Sequence, residues 1–120
     1  MKTLLAALTL LAAPVAAHAA PLVEAAFGNT LVSTYPDGRV GRLWLKPGGV
    51  YDYLGRNKKA SSGRWVIKGE QICLQQNKPI PMPITFCTEA PNQGGIGATW
   101  PSKAISGEQV RMELVKGIVR

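Results

Sequence analysis

Histidine is nearly absent from this chain: the 120 residues contain one, His18, inside an apolar N-terminal stretch. A Ser-His-Asp or Cys-His catalytic arrangement and a histidine metal cluster are therefore not expected beyond it. Acidic residues number only seven, and Asp52 alone is placed suggestively for paired-carboxylate chemistry, although an outward-facing strand carboxylate explains it better. We predict no enzymatic activity and no catalytic, cofactor-binding or metal-binding residues.

Long apolar runs are also lacking. The longest, at 4–15, is broken by a proline, and a membrane-spanning helix needs about 20 apolar residues. The positively charged N-terminal pair Met1-Lys2 and the Ala-His-Ala sequence at 17–19 are typical of a secretory signal peptide. We expect residues 1–19 to be a signal peptide cleaved after Ala19, and residues 20–120 to be a single exported domain, periplasmic or secreted.

Cysteine is limited to Cys73 and Cys87. Their separation does not match a C-x-x-C redox motif, and two thiolates without histidine are too few for a structural zinc site. In an oxidising compartment an even pair predicts a disulfide, which would close a loop of about 15 residues and stabilise the fold by roughly 3 kcal/mol.

The charge that is present is mainly positive. Residues 20–120 carry 13 basic and seven acidic side chains, a formal charge of +6. This balance suits an acidic protein, an anionic envelope polymer or lipid head groups, or it serves only to keep the protein in solution. Export argues against a nucleic-acid partner, and we expect none.

Short alternating segments fill the rest of the chain. Thirteen glycines and nine prolines favour turns, and sequences such as Pro36-Asp37-Gly38 separate the segments. No segment of helical length keeps an apolar 3.6-residue period, so no helix is predicted. About seven strands at intervals of roughly 8–12 residues predict an all-β antiparallel meander that curls into a small β-barrel or sandwich. The predicted strands are 30–35, 39–46, 50–54, 63–68, 71–75, 83–87 and 108–116.

The same alternation predicts which side chains fill the interior. Two segments fall outside the meander, the proline-rich 77–83 and the glycine-rich 91–107, and both are expected to be loops. The predicted core consists of Leu31 or Val32, Leu43, Leu45, Tyr51, Tyr53, Trp65, Ile67, Ile72, Leu74, Ile84, Phe86, Val110, Met112 and Leu114.

The densest positive charge follows the third predicted strand. A rigid barrel that presents this cationic loop would attract an acidic surface, and an exposed tryptophan would supply an apolar anchor. We therefore predict a non-enzymatic binding module that docks an acidic protein or envelope polymer through loops 55–62 and 92–106. The candidate binding surface is Arg56, Lys58, Lys59, Ser61, Ser62, Arg64 and Trp100.

Two alternative functions stay open: a small-molecule carrier, and an envelope structural or stress protein with affinity only for the cell wall. A small-molecule carrier would hold its ligand inside the barrel against Tyr51, Tyr53 and Trp65, unless side chains fill so narrow an interior. Trp44 shares a strand face with basic residues and would stack on sugars or bases if exposed, whereas packing is the commoner role of a strand tryptophan.

Several of these motifs occur together in a known group of proteins. The segments Gly28-Asn29-Thr30, Pro36-Asp37-Gly38 and Gly63-Arg64-Trp65, with the pair Cys73 and Cys87, resemble uncharacterised small secreted proteobacterial β-barrel proteins of lipocalin-like fold. The likeness covers about residues 27–90 and implies a fold more than an activity.

A fainter likeness concerns bacterial inhibitors of C-type lysozyme. Ser62-Gly63-Arg64-Trp65 and Lys68-Gly69 are similar to loop motifs of that family. The two motifs lie closer together here, and Trp65 stands where the family has a tyrosine. This resemblance implies an inhibitor of an extracellular hydrolase such as lysozyme.

Overall fold

The computed structural model describes residues 20–91 and 94–120, so the predicted signal peptide at 1–19 lies outside the described residues. The fold is all-β, as the alternation predicts, with one short helix in front of eight antiparallel strands. The elements are α1 (Ala20–Ala26), β1 (Thr30–Thr34), β2 (Val40–Lys46), β3 (Val50–Leu54), β4 (Ala60–Lys68), β5 (Gln71–Lys78), β6 (Phe86–Glu89), β7 (Thr99–Lys103) and β8 (Gln109–Val115).

The strands form one sheet that curls into a nearly closed barrel. Strands β1 to β6 are a meander, and β8 returns to pair with β1, so the order is β6-β5-β4-β3-β2-β1-β8-β7. The strands alternate in direction, so the connections collect at two ends of the barrel. The open end comprises residues 35–39, 55–59, 78–85 and 103–108, and the closed end comprises α1 with residues 27–29, 47–49, 69–70, 90–91, 94–98 and 116–120.

The eighth strand was not predicted. Residues 91–107 were expected to be a loop, but Thr99–Lys103 form β7 and pair with β8. Pro101 lacks an N–H group, and the strand accepts it because β7 lies at an edge of the sheet. Trp100, opposite Met112, packs against the core instead of standing exposed in a loop.

The helix was also not predicted, and it fills the closed end of the barrel. Leu22, Val23 and Ala26 are at most 2% exposed and belong to the same buried cluster as the strand core. Close packing against α1 requires Gly94, because a Cβ there would lie 2.7 Å from Leu22 Cδ1. The helix has only seven residues, too few to show a period in the sequence.

Most of the predicted core is confirmed. Seven of the predicted residues are buried, and Tyr53, Trp65, Ile67, Leu74 and Met112 pack against them. The prediction for Ile84 is wrong: its side chain is 59% exposed, because β6 begins only at Phe86 and the proline-rich connection continues to that point. The seven buried residues are Leu31, Leu43, Leu45, Tyr51, Ile72, Val110 and Leu114.

The C-terminal segment covers Trp44 on the outside of the barrel. Thr30 Oγ1 donates to the carbonyl of Gly117 and accepts hydrogen bonds from Trp44 Nε1 and from the amide of Val119. The Arg120 guanidinium lies 5.0 Å from the centre of the indole ring. Trp44 is 6% exposed, so it packs within the protein and presents no stacking surface.

The predicted disulfide is confirmed. Cys73 in β5 and Cys87 in β6 are directly opposed in the ladder, with Cα atoms 4.0 Å apart. The bond joins the last strand of the meander to its neighbour and is compatible with an exported protein. Within residues 20–91 and 94–120, no helix combines the length and apolar character needed to cross a membrane.

We expect the Cys73→Ala/Cys87→Ala double variant to lose about 3 kcal/mol of unfolding free energy, because the cross-link restricts the unfolded chain. Urea denaturation measures this loss. Thiol titration of the native wild-type protein provides the control and should find no reactive cysteine. Two titratable thiols in the wild type, or a loss below about 1 kcal/mol, would contradict the prediction.

Candidate functional site

A cavity enters the barrel from the open end, opposite α1. Its volume is about 210 Å³, and all eight strands contribute to its lining. Ile84 and Ile105 line it and are 59% and 64% exposed, so the cavity reaches the protein surface. Its apolar wall is formed by Leu31, Leu43, Leu74, Phe86, Val110 and Met112.

Small side chains at inward-facing positions leave this space unfilled. Strands β1, β4 and β7 each place a large apolar residue inward toward the closed end and a serine inward toward the open end. The large residues meet α1 and the core, whereas the serines border the cavity. The three pairs are Leu31 and Ser33, Trp65 and Ser61, and Trp100 and Ser102.

Tyr53 carries a buried hydroxyl at the wall of the cavity. Its ring crosses β2 at Gly41, where a Cβ would lie 2.5 Å from the tyrosine oxygen, so glycine is required at that position. The side chains of Tyr35 and Ser33 lie next to the hydroxyl. Burial, followed by the contact with Tyr35, raises the pKa of Tyr53 well above its ordinary value, so the phenol is a neutral hydrogen-bonding group at physiological pH.

Lys103 is the one charged side chain among the described residues that line the cavity. It ends β7 at the open end and is exposed. A cavity with apolar walls, a few hydroxyls and an ammonium group at its mouth is complementary to a molecule with an apolar body and a polar or anionic end.

The Arg56 side chain connects three of the loops around the mouth. Its guanidinium donates to both carboxylate oxygens of Glu108 at 3.3 and 2.5 Å, and lies 3.6 Å from Asp37 Oδ2. It also stacks 4.0 Å from the centre of the Tyr35 ring. Arg56 therefore holds the loops at 35–39, 55–59 and 104–108 together.

The arginines of this cluster lower the pKa values of both carboxyl groups, Glu108 and Asp37. The hydrogen bonds from Arg56 and then Ser106 lower the pKa of Glu108 below its ordinary value. The backbone N–H and the side chain of Arg39 lower the pKa of Asp37. Both groups stay ionised through the neutral range, and both negative charges are matched by arginines.

The structure separates the residues of the predicted binding surface. Lys58 and Lys59 are exposed at the tip of the β3–β4 loop, where Lys58 adopts a φ of 65°. Arg56, in the same loop, is held in the ion pairs described above, and its side chain is only 22% exposed. Trp100 lies in β7 with its side chain against the core, apart from the basic loop tip.

The remaining predicted residues belong to β4. Ser61 lines the cavity, Ser62 borders a shallow groove on the outer surface, and Arg64 is exposed on that same outer side. The Ser62-Gly63-Arg64-Trp65 motif is thus part of a strand. Gly63 sits at a register shift in the β4–β5 ladder, where a Cβ would overlap the carbonyl of Gln75.

The barrel wall is interrupted between β6 and β7, which are the two edges of the sheet. The Thr88 and Ser102 hydroxyls, 2.6 Å apart, bridge the gap, and both residues also line the cavity. We call this gap the seam. The sequence analysis gave an open interior, lined by Tyr51, Tyr53 and Trp65, only as an alternative, and Trp65 does not line the cavity. It missed the seam and the serines at inward positions of otherwise apolar strands, which are the signal that favours a cavity.

Comparisons with protein-family models, with curated proteins and with solved structures found no match for this chain. Within the described residues, no group of three or more histidine, cysteine, aspartate or glutamate side chains is placed to hold a metal ion.

We expect Arg56→Gln to lower the melting temperature at pH 7, whereas Lys58→Gln in the same loop leaves it unchanged. The pKa of Glu108 is depressed in the folded state, so its contribution is present above the unfolded pKa and is lost as the pH falls through the folded one. The difference between wild type and Arg56→Gln should therefore shrink at about pH 3. Thermal melts at both pH values measure it, and equal melting temperatures at pH 7 would show that Arg56 has no structural role.

Proposed function

We propose that this protein binds a small, mainly apolar molecule inside the open end of its barrel and acts as a carrier. The observation that carries the proposal is the cavity of about 210 Å³, which has apolar walls and a mouth at the surface. An eight-stranded barrel is about the smallest that can hold one small ligand, and here α1 fills only the closed end.

The cavity volume limits the size of the ligand. Pockets for drug-sized molecules occupy about 300–1,000 Å³, and an apolar cavity of about 150 Å³ binds benzene. A cavity of about 210 Å³ suits a single ring or a short alkyl chain. The polar end of such a molecule would lie at the mouth, near Lys103 and the hydroxyls of Tyr35 and Ser33.

The ligand site also contains more than one polar anchor, which favours an amphipathic ligand over a hydrocarbon. Ser61 and Gln76 line the cavity on adjacent strands. The Gln76 side-chain amide donates to the carbonyl of Ile80 at 3.0 Å, and this contact helps hold the proline-rich connection over the mouth. A ligand headgroup could therefore hydrogen bond to side chains whose positions are fixed by the fold.

Docking of an acidic protein or envelope polymer through the 55–62 loop is the second candidate. It is supported by the exposed side chains of Lys58 and Lys59 at the loop tip. Trp100 does not contribute an exposed anchor, because its side chain packs against the core. For either function we propose that the protein is exported, on the basis of the signal-peptide pattern and the disulfide.

We expect Ser61→Phe to abolish ligand binding, because the ring would occupy the cavity. Ser62→Phe is the matched control: it adds the same ring one residue later on β4, on the outer surface. The measurement is titration of residues 20–120 with a neutral fluorophore of one ring and one hydroxyl group, which matches the size and polarity of the cavity, together with native mass spectrometry of protein purified from cells.

The expected result is binding to wild type and Ser62→Phe, with at least about a tenfold loss in Ser61→Phe, which corresponds to about 1.4 kcal/mol. Equal binding by the two variants would place the fluorophore outside the cavity. Absence of binding to the wild type, with no co-purified ligand, would contradict the carrier function.

A further inference from the structure

We infer that the open end of the barrel docks onto an anionic lipid bilayer, with the mouth of the cavity facing the membrane. The inference rests on the side chains around the mouth and does not depend on what the cavity holds. It goes beyond the proposed function because it assigns a surface and a partner that a carrier in solution does not need.

The rim of the mouth exposes aliphatic side chains. Ile80, Ile84 and Ile105 are 64%, 59% and 64% exposed and are the three most exposed large hydrophobic residues of the described chain. Ile80 and Ile84 lie in the β5–β6 connection, and Ile105 lies in the β7–β8 loop across the seam. Aliphatic groups at the tips of adjacent loops can enter the headgroup layer together.

The positive charge is concentrated at the same end. The open end contains six basic and two acidic residues, which gives a formal +4 of the +6 on residues 20–120. With the strand-terminal residues Lys46, Lys68 and Glu89 counted in the same way, the closed end contains four basic and three acidic residues, a formal +1, and Ile96 and Ile118 are exposed there. Exposed apolar residues thus occur at both ends, but the large excess of positive charge lies at the open end.

Ion pairing also determines which positive charges at the open end are available to a partner. The two acidic residues of the open end, Asp37 and Glu108, are paired with Arg39 and Arg56. No salt bridge within the described residues involves Lys58, Lys59, Lys78 or Lys103. Four lysine ammonium groups around the mouth are therefore available to anionic headgroups.

The composition of the rim favours a bilayer over a protein partner. Lysine is depleted in protein–protein interfaces, and binding hot spots are enriched in tryptophan, tyrosine and arginine. The rim presents isoleucine and lysine, whereas Trp100, Tyr53 and Arg56 are occupied by internal contacts. Lysines near a membrane surface each strengthen binding to anionic lipid by about fivefold.

The experiment is co-sedimentation of residues 20–120 with vesicles of phosphatidylcholine alone and of phosphatidylcholine with 30% phosphatidylglycerol. This segment contains the whole sheet, core and disulfide described above. We expect binding to the anionic vesicles, little binding to the neutral ones, and a loss at high salt. Equal binding to both vesicles, or to neither, would overturn the inference.

Matched variants locate the surface. Lys58→Glu/Lys59→Glu should reduce vesicle binding by at least about 25-fold, at about fivefold per lysine. Arg64→Glu/Lys68→Glu makes the same change in charge on the outer face of β4 and should have a much smaller effect. Ile80→Asp should weaken binding, and Ile96→Asp at the closed end should not. Equal losses within either pair would show that net charge or general hydrophobicity, not the rim, determines binding.

Two variants separate this inference from the carrier function. Ile80 does not line the cavity, so Ile80→Asp should lose vesicle binding and keep fluorophore binding. Ser61→Phe should lose fluorophore binding and keep vesicle binding. If acidic protein partners from an envelope extract bind the lysine loop while vesicles do not, the docking function proposed second is supported and the membrane inference fails.

Discussion

The pairing of β1 with β8 is the contact on which the rest of the structure depends. It joins residues 30–34 to residues 111–115 and brings the first and last strands of the chain together. Short connections join the other neighbouring strands of the meander. Only the β1–β8 pairing closes a loop that spans most of the chain, and closing that loop has the largest cost in chain entropy. Without it the sheet would have no interior, and neither α1 nor the cavity would be enclosed.

Once the barrel is closed, its ends differ because one short helix enters only one of them. The side chains of α1 fill the space above Leu31 and Leu114, and the opposite end is left to serines and tyrosines. The loops at that opposite end need another source of rigidity. The Arg56 ion pairs supply it, and the lysines beside them are left exposed to solvent. Because α1 fills only the closed end, the open end has both the mouth of the cavity and a basic surface around it.

The sequence allowed the architecture to be predicted because strand alternation and turn residues are local signals. The disulfide followed equally simply from a cysteine pair in a chain predicted to be exported. The helix, the strand β7 and the exposure of Ile84 escaped prediction because each depends on distant partners. Thr99–Lys103 is a strand only where β8 lies beside it, and α1 is stable only in the space that the barrel provides.

The candidate site was predictable only in part. Tyr51 and Tyr53 were expected to face the interior, and they line the cavity, but Trp65 belongs to the filled end near Phe27. The contacts of Arg56 with Asp37 and Glu108 join residues far apart in sequence, and no local pattern encodes them. Charge counting therefore overestimated how many of the loop cations are available to a partner.

The seam is the one place in the described barrel wall where no ladder joins neighbouring strands. Elsewhere around the wall, rows of main-chain hydrogen bonds fix the spacing of neighbouring strands at about 4.8 Å. Between β6 and β7 a single hydroxyl pair, Thr88 with Ser102, takes their place. The spacing of these two strands therefore depends on side chains instead of a ladder. Because Thr88 and Ser102 also line the cavity, a substitution at either hydroxyl acts on the cavity wall without removing a main-chain hydrogen bond between paired strands.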